Sequence, residues 1–259
     1  MLSLLLLLLL GLVTGFFAGL FGIGGGAIMV PALTAFFLWQ GVAEDQVVHM
    51  ALATSLSVIV FNSIINVKTH LKHQAVLGHL LVHLVPSVIL GSALASWLAL
   101  QLTGQTVAFI FMVLMLIIAV QMVFNFKPKS QRAPPLTSMR LWPAGLVIGL
   151  LSALIAIGGG SLTVPFLHWH RVPIQKAIGT AAALGFFIAL SGTVTYLVLT
   201  WKSQEGGYVY WPATLVIVVA AFLSTRLGAS MTHRLPTRQL RIGFAILIIL
   251  LALRMYFSR

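Results

Sequence analysis

Two stretches of the chain carry the same unusual arrangement. Ile23-Gly24-Gly25-Gly26-Ala27 and Ile157-Gly158-Gly159-Gly160-Ser161 each place three glycines directly ahead of a short apolar run. Glycine tolerates positive φ and lets a ligand come close to the backbone. A helix that starts behind such a triplet presents its first N–H groups without intrahelical partners. Its dipole puts roughly half a positive charge at the same end. Together these features make an anion site built of backbone, with no charged side chain needed. Its candidate residues are Gly24, Gly25, Gly26 and Ala27 in one copy and Gly158, Gly159, Gly160 and Ser161 in the other. Close helix packing through small residues is the competing role, and Gly15, Gly19 and Gly22 are read in it. The duplication, with a short helix after each copy, favours a ligand site at the triplets. Pro31 and Pro165 each free one carbonyl a turn earlier, at Ala27 and Ser161, and so kink the chain near the site.

Polar side chains follow each triplet. Thr54, Ser55, Ser63, Asn62 and Asn66 lie in one apolar segment; Ser55, Asn62 and Asn66 share a face at helical spacing. The corresponding later segment holds Thr180, Ser191, Thr193 and Thr195, with Thr180, Ser191 and Thr195 on one face. Such stripes either line a cavity or join helices by hydrogen bonds, and both readings stay open. Thr54, Ser55, Asn62, Asn66, Thr180 and Ser191 are the candidate cavity residues. His70, His73, His79 and His83 gather around one turn, and His79/His83 have i,i+4 spacing. No carboxylate or cysteine accompanies them to complete a transition-metal site, so no metal is expected there. They are read as interfacial residues, with proton coupling through one of them left open.

The acids are three: Glu44, Asp45 and Glu205. Each falls in a polar break, whereas cation and proton carriers bury carboxylates along their path. A cation substrate is therefore not expected. Catalysis is not expected either, because no carboxylate pair, Ser/His/Asp set or cofactor motif is present. Cysteine is absent, which removes disulfides and thiolate chemistry.

The elements that must hold these residues are membrane helices. Of 259 residues, 60% are hydrophobic and only 7% charged, against roughly a quarter charged in soluble domains. The mean hydropathy is +1.08. Soluble enzymes and nucleic-acid modules are excluded. Ten apolar segments can be read, near Leu2–Ile23, Ala27–Trp39, Gln46–Asn66, Leu77–Leu100, Gln105–Phe126, Leu141–Ile157, Ser161–Trp169, Ala177–Thr200, Tyr208–Thr232 and Gln239–Phe257. The Leu-rich start lacks a basic leader and a cleavage site and is read as a retained segment. Ala27–Trp39 and Ser161–Trp169 are about 20 and 14 Å long as helices, too short for a core about 30 Å thick. Each is expected to form a hairpin with the segment before it, tip at depth.

Basic residues divide unevenly. Twelve (Lys68, Lys72, Lys127, Lys129, Arg132, Arg140, Arg171, Lys176, Arg226, Arg234, Arg238 and Arg241) fall on one side and three (Lys202, Arg254 and Arg259) on the other. The rich side is expected in the cytoplasm, with both termini outside. Arg226 is read as snorkelling to that interface or facing an inner vestibule.

Gly15–Leu33 and Gly149–Leu167 are identical at nine of nineteen positions at an offset of 134. Weaker echoes pair Ala53-Thr54 with Gly179-Thr180 and Pro86 with Pro212. Residues 1–126 and 141–259 therefore read as two repeats, joined by a cytoplasmic linker at 127–140. Each repeat crosses an odd number of times, so the second is expected upside down. That is the plan of secondary transporters, whose sites lie where broken helices meet near the midplane. The expected fold is all-α and polytopic, with two inverted repeats of about five segments each and glycine-rich hairpins meeting at mid-depth.

The pattern G-x3-G-x2-G-x-G-G-G-x4-P-x-L of Gly15–Leu33, with its second copy, resembles the TauE/SafE family of sulfite exporters and sulfonate permeases. Ala177-Ile178-Gly179-Thr180 is similar to that family's Ala-x-Gly-Thr-Ser signature, with Ala181 in place of Ser. Leu52-Ala53-Thr54-Ser55 keeps Thr-Ser with Ala for Gly, and Ala153 and Ala156 stand where the second copy would have Gly. The resemblance covers nearly the whole chain. It implies transport of sulfite or an organosulfonate, often outward, across the inner membrane by a homodimer without cofactors. The residues themselves admit a permease for another small anion, such as a carboxylate, or a non-transporting membrane subunit. The expected partners are that anion and the lipid bilayer; nucleic acid is not expected.

Overall fold

The computed structural model describes residues 1–21, 25–124, 137–201, 207–231 and 237–257. These form ten helices: α1 (Leu2–Phe21), α2 (Gly26–Trp39), α3 (Glu44–Lys72), α4 (Gly78–Gln101), α5 (Gly104–Phe124), α6 (Ser138–Leu154), α7 (Gly160–Trp169), α8 (Ile174–Thr200), α9 (Trp211–Met231) and α10 (Thr237–Phe257). No strand occurs among the described residues. In hydrocarbon every backbone polar group must be met within the protein, and the α-helix does this within a single segment. Helices α1, α3, α4, α5 and α8 each contain a stretch long and apolar enough to cross a membrane. The chain is a multi-pass membrane protein. The linker residues Lys127–Pro135 lie outside the described residues, as do Gly22, Ile23 and Gly24.

The helices depart from the apolar runs in two places that matter. Helix α3 continues to Lys72, six residues beyond the run ending at Asn66, and so carries Lys68 and Lys72 on its last turns. Helix α6 stops at Leu154, ahead of the triplet rather than against it. Its end is a Schellman turn: Ala156 N–H donates to Ala153 O at 3.1 Å and Ile157 N–H to Ser152 O at 3.0 Å. This turn needs a left-handed residue, and Ala156 supplies it at φ 46°. Here the second repeat has alanine where its motif calls for glycine, and the chain carries strain as a result. Helices α2 and α7 end in the same turn at Gly41 and Arg171, with φ 78° and 65°.

Packing pairs the helices across the two halves. α1 lies along α9 as α6 lies along α4, α3 packs on α8, and α5 packs on α10. Glycines set the close seams. A side chain at Gly11 or Gly15 would run into Ile217, Ala220, Ala221 and Ser224, and one at Gly145 or Gly149 into Leu84, Ser87 and Val88. Leu84, Ser87 and Val88 thus take the places of Ile217, Ala220 and Ala221, each 133 residues apart. Pro86 and Pro212, which are 126 apart, do not occupy matching places. Ser92 Oγ donates to Ile188 O at 2.6 Å, and Ser191 Oγ to Ile89 O at 2.9 Å, joining α4 to α8 in both directions.

Three variants test this packing by unfolding of the detergent-solubilised protein. Gly15→Ala should cost about 1–3 kcal/mol through overpacking against α9. Gly78→Ala, with nothing within 4 Å of the added carbon, should stay within about 0.5 kcal/mol of the parent. Ala156→Gly should raise stability by about 1 kcal/mol by relieving the left-handed alanine. A fall in melting temperature for Ala156→Gly would contradict the Schellman assignment.

Candidate functional site

Both short helices begin on a left-handed glycine. Gly25 caps α2 at φ 76° and Gly159 caps α7 at φ 74°. That conformation turns the chain sharply and starts each helix with its first amides ahead of the repeating ladder. In α7 the Gly159 carbonyl accepts from Thr163 N–H at 2.9 Å; in α2 the Gly25 carbonyl accepts from Met29 N–H at 3.1 Å. The two tips touch. The Gly26 α-carbon lies against the Ala156 carbonyl, with no room for a side chain, and Ile59 closes the same spot. The Gly158 carbonyl in turn lies against Gly185 of α8. The structure therefore sets Gly26, between Gly25 and Ala27, against Ala156 at the base of the second tip, and Gly158, Gly159, Gly160 and Ser161 follow Ala156 in the chain. Gly24 lies outside the described residues.

The tips differ in exposure. Gly25 through Pro31 are buried, and α2 is also packed by α3 and α10. Gly158, Gly160, Ser161 and Leu162 are partly open, and Pro165 is exposed. Helix α7 packs on α8 and only lightly on α6, and makes no packing with α5 comparable to that of α2 with α10.

The two threonines have a definite and reciprocal role. Thr54 Oγ1 accepts from the N–H of Tyr210, the residue before α9, at 3.0 Å. Thr180 Oγ1 accepts from the N–H of Leu77, the N-cap of α4, at 3.0 Å. Each threonine thus meets an orphan amide at the start of a helix in the other half. Thr54 lies near the start of α3 and Tyr210 beyond the end of α8. Thr180 lies near the start of α8 and Leu77 beyond the end of α3. Helices α3 and α8 therefore run antiparallel, with one threonine bond at each end of the pair. Gly179 beside Thr180 is needed because the Ala75 backbone presses on it. At the opposite end, rings fill the space: His49 and Tyr208 at 5.6 Å, Phe37 and Tyr210 at 5.7 Å between centroids. Burial, with the Asp45 carboxylate near, pushes the Tyr208 phenol above its usual range.

Of the remaining stripe residues, Ser191 bonds α4, and Thr195 bonds back to Ser191 O at 2.9 Å. Asn62 and Asn66 are half-buried on α3. Ser55 is fully buried, and its Oγ has no partner. Three further hydroxyls lack partners around the second tip: Ser152 Oγ, Ser161 Oγ and Thr163 Oγ1. Ser152 and Thr163 were not legible as candidates, because isolated hydroxyls in apolar runs usually bond their own helix. His49 likewise stands in α3 with no motif around it. His83 Nδ1 lies 3.0 Å from His79 O, one turn back on its own helix. Among the described residues no group of three or more His, Cys, Asp or Glu is placed to hold a metal. The side chain of Arg226 lies outside the described residues.

Known proteins align with the chain over nearly its full length. The family model described as "Sulfite exporter TauE/SafE" matches residues 7–255. A "Probable membrane transporter protein" of Haemophilus influenzae is 34% identical, covering 97% of each chain. A probable membrane transporter protein of Methanocaldococcus jannaschii is 28% identical over 92% of this chain and 89% of its own. The probable membrane transporter protein YunE of Bacillus subtilis is 24% identical over 99% and 98%. No solved structure matches significantly.

The threonine bonds yield a direct test. Thr54→Val or Thr180→Val leaves a helix-start amide unmet, and each should lower unfolding stability by about 1–3 kcal/mol. Thr54→Ser and Thr180→Ser keep the acceptor oxygen and should lose much less. Equal losses for the Ser and Val variants in thermal unfolding would show that packing of the methyl, not the hydrogen bond, matters.

Proposed function

The chain belongs to the sulfite exporter TauE/SafE family, and from that premise we propose that it carries a small sulfur oxyanion, sulfite or an organosulfonate, across the inner membrane. The carrying observation is a pair of short helices that each start on a left-handed glycine, with Gly26 of one against the Ala156 carbonyl just ahead of the other. Their dipoles supply positive potential, and amides left free at a helix start supply donors, without a formal charge. An anion held this way is bound yet can leave, since no buried lysine or arginine needs to be uncovered. Within the described spans the acids are confined to Glu44 and Asp45 in the first turn of α3, where the helix dipole stabilises them. This distribution suits an anion better than a cation.

The inverted-repeat plan is part of the proposal. The corresponding helices α3 and α8 run antiparallel, and the reciprocal threonine bonds and glycine seams relate one half to the other. In that plan the tips lie near mid-depth, and rocking of one half against the other exposes the site alternately to each side. The charge count puts residues 127–140 in the cytoplasm and both termini outside. Export and a homodimer follow from the family resemblance.

Reconstituted protein should move labelled sulfite or ethanesulfonate into or out of liposomes above the rate of empty vesicles. Carboxylates such as acetate should compete poorly. Preferred acetate transport would redirect the assignment to a carboxylate permease, and no transport of any anion would overturn it. The cysteine-free chain suits single-cysteine labelling: Ser130→Cys should react only from the cytoplasm and Ser258→Cys only from outside. The reverse pattern would invert every loop.

A further inference from the structure

The two glycine-rich tips are alike in backbone but not in side chains. Around the second tip stand Ser152, Ser161 and Thr163; the positions 134 residues earlier are Ala18, Ala27 and Met29. Ser152 and Thr163 are 1% and 0% exposed, and all three hydroxyl oxygens lack any partner. Away from this tip, among the described residues, the buried hydroxyls without a partner are Ser55 on α3 and Ser96 on α4, one to a helix, and the usual pattern is different. Thr14, Thr34, Ser87, Thr193, Thr195 and Thr200 each donate to a carbonyl three or four residues back on their own helix. A hydroxyl buried without a partner is costly in an apolar interior, so three around one turn call for an acceptor that the protein does not supply.

The placement says where that acceptor sits. Helical side chains lean toward the helix start, so Thr163 reaches back over the first turn of α7. Ser161 is the second residue of that helix. The Ser152 carbonyl takes the Ile157 N–H at 3.0 Å, which ties Ser152 to the base of the same tip. Gly158, Gly160 and Ser161 are partly open, whereas at the first tip Gly25, Gly26 and Ala27 are buried and the Ala156 carbonyl occupies the space beside Gly26.

Resting on the transport function proposed above, we infer that the anion is gripped from one side: Ser161 and Thr163, with Ser152 behind them and the free amides of α7, supply its hydrogen bonds, and the first tip is a closed wall. The ligand is then an oxyanion with several acceptor oxygens, able to take hydroxyl and amide donors at once. The first tip, though built on the same glycines, contributes shape and no donor.

Side chains at Gly25 and Gly159 do not test this, because their positive φ strains any substitution. The hydroxyls do. Sodium sulfite and ethanesulfonate binding is measured by calorimetry on purified, monodisperse protein. Ser161→Ala and Thr163→Val should each weaken binding by at least about tenfold, while Thr163→Ser and Ala27→Ser stay within about threefold of the parent. If the parent binds and folded Ser161→Ala binds equally well, the one-sided grip is wrong and the transport proposal stands. If Thr163→Val does not fold, Ser161→Ala and Thr163→Ser decide alone. If Ala27→Ser changes affinity as much as Ser161→Ala does, the first tip is not a wall and the inference fails. If the parent binds neither sulfite nor ethanesulfonate, both the substrate proposal and this inference fall.

Discussion

An N–H group at a helix start, set in hydrocarbon, must find an acceptor, and most of this architecture answers that requirement. Each unmet group costs several kcal/mol where water is absent. The ten described helices create ten starts, and those inside the bilayer have no solvent to turn to. At α4 and α9 the answer is internal: a threonine from the opposite half accepts the amide before the helix begins. At α2 and α7 the helix starts abruptly on a left-handed glycine, with no side-chain cap. One constraint therefore gives two solutions. One locks the halves together, and the other starts a helix with no side-chain cap.

Glycine acts here as a spacer as much as a hinge. Where Gly11, Gly15, Gly145 and Gly149 lie on a neighbouring helix, the absence of a Cβ lets backbones come close enough for dispersion and small-residue packing to hold them. Lipid chains are as apolar as leucine, so burying apolar surface does little to join helices in a bilayer, and this close contact takes its place. Reciprocal serine bonds between α4 and α8 add direction to the same contact. The paired seams, each joining one half to the other, leave the central α3–α8 pair to carry the threonine bonds at its two ends.

The two glycine motifs are close in sequence and unequal in their surroundings. Ala156 occupies a left-handed position that its motif reserves for glycine, and the hydroxyls of the second tip have no equivalents in the first. Helix α2 is sheathed by α10, while α7 keeps a more open flank. The two tips thus share a backbone form and differ in their side chains and their cover.

Class, segment number and the duplicated tips were legible in the residues alone. Twenty-odd apolar residues in a row have no other stable state in a membrane than a helix, and three glycines before a short run announce a broken one. The ends of α2 and α7 could be placed to within a residue because glycine and length set them. Other features were decided only by the tertiary structure. Thr54 and Thr180 read equally well as cavity lining or as helix glue; their partners, Tyr210 and Leu77, lie in the opposite half, and no local pattern connects positions so far apart. Ser191 gained its role from the Ile89 carbonyl on a neighbouring helix. Ser152 and Thr163 stood out only once their hydroxyls were seen without the usual backbone acceptor. Periodicity reports which face of a helix is apolar, a property of one segment. Whether a polar atom is satisfied depends on what another segment brings to it, and that is settled only when the helices pack.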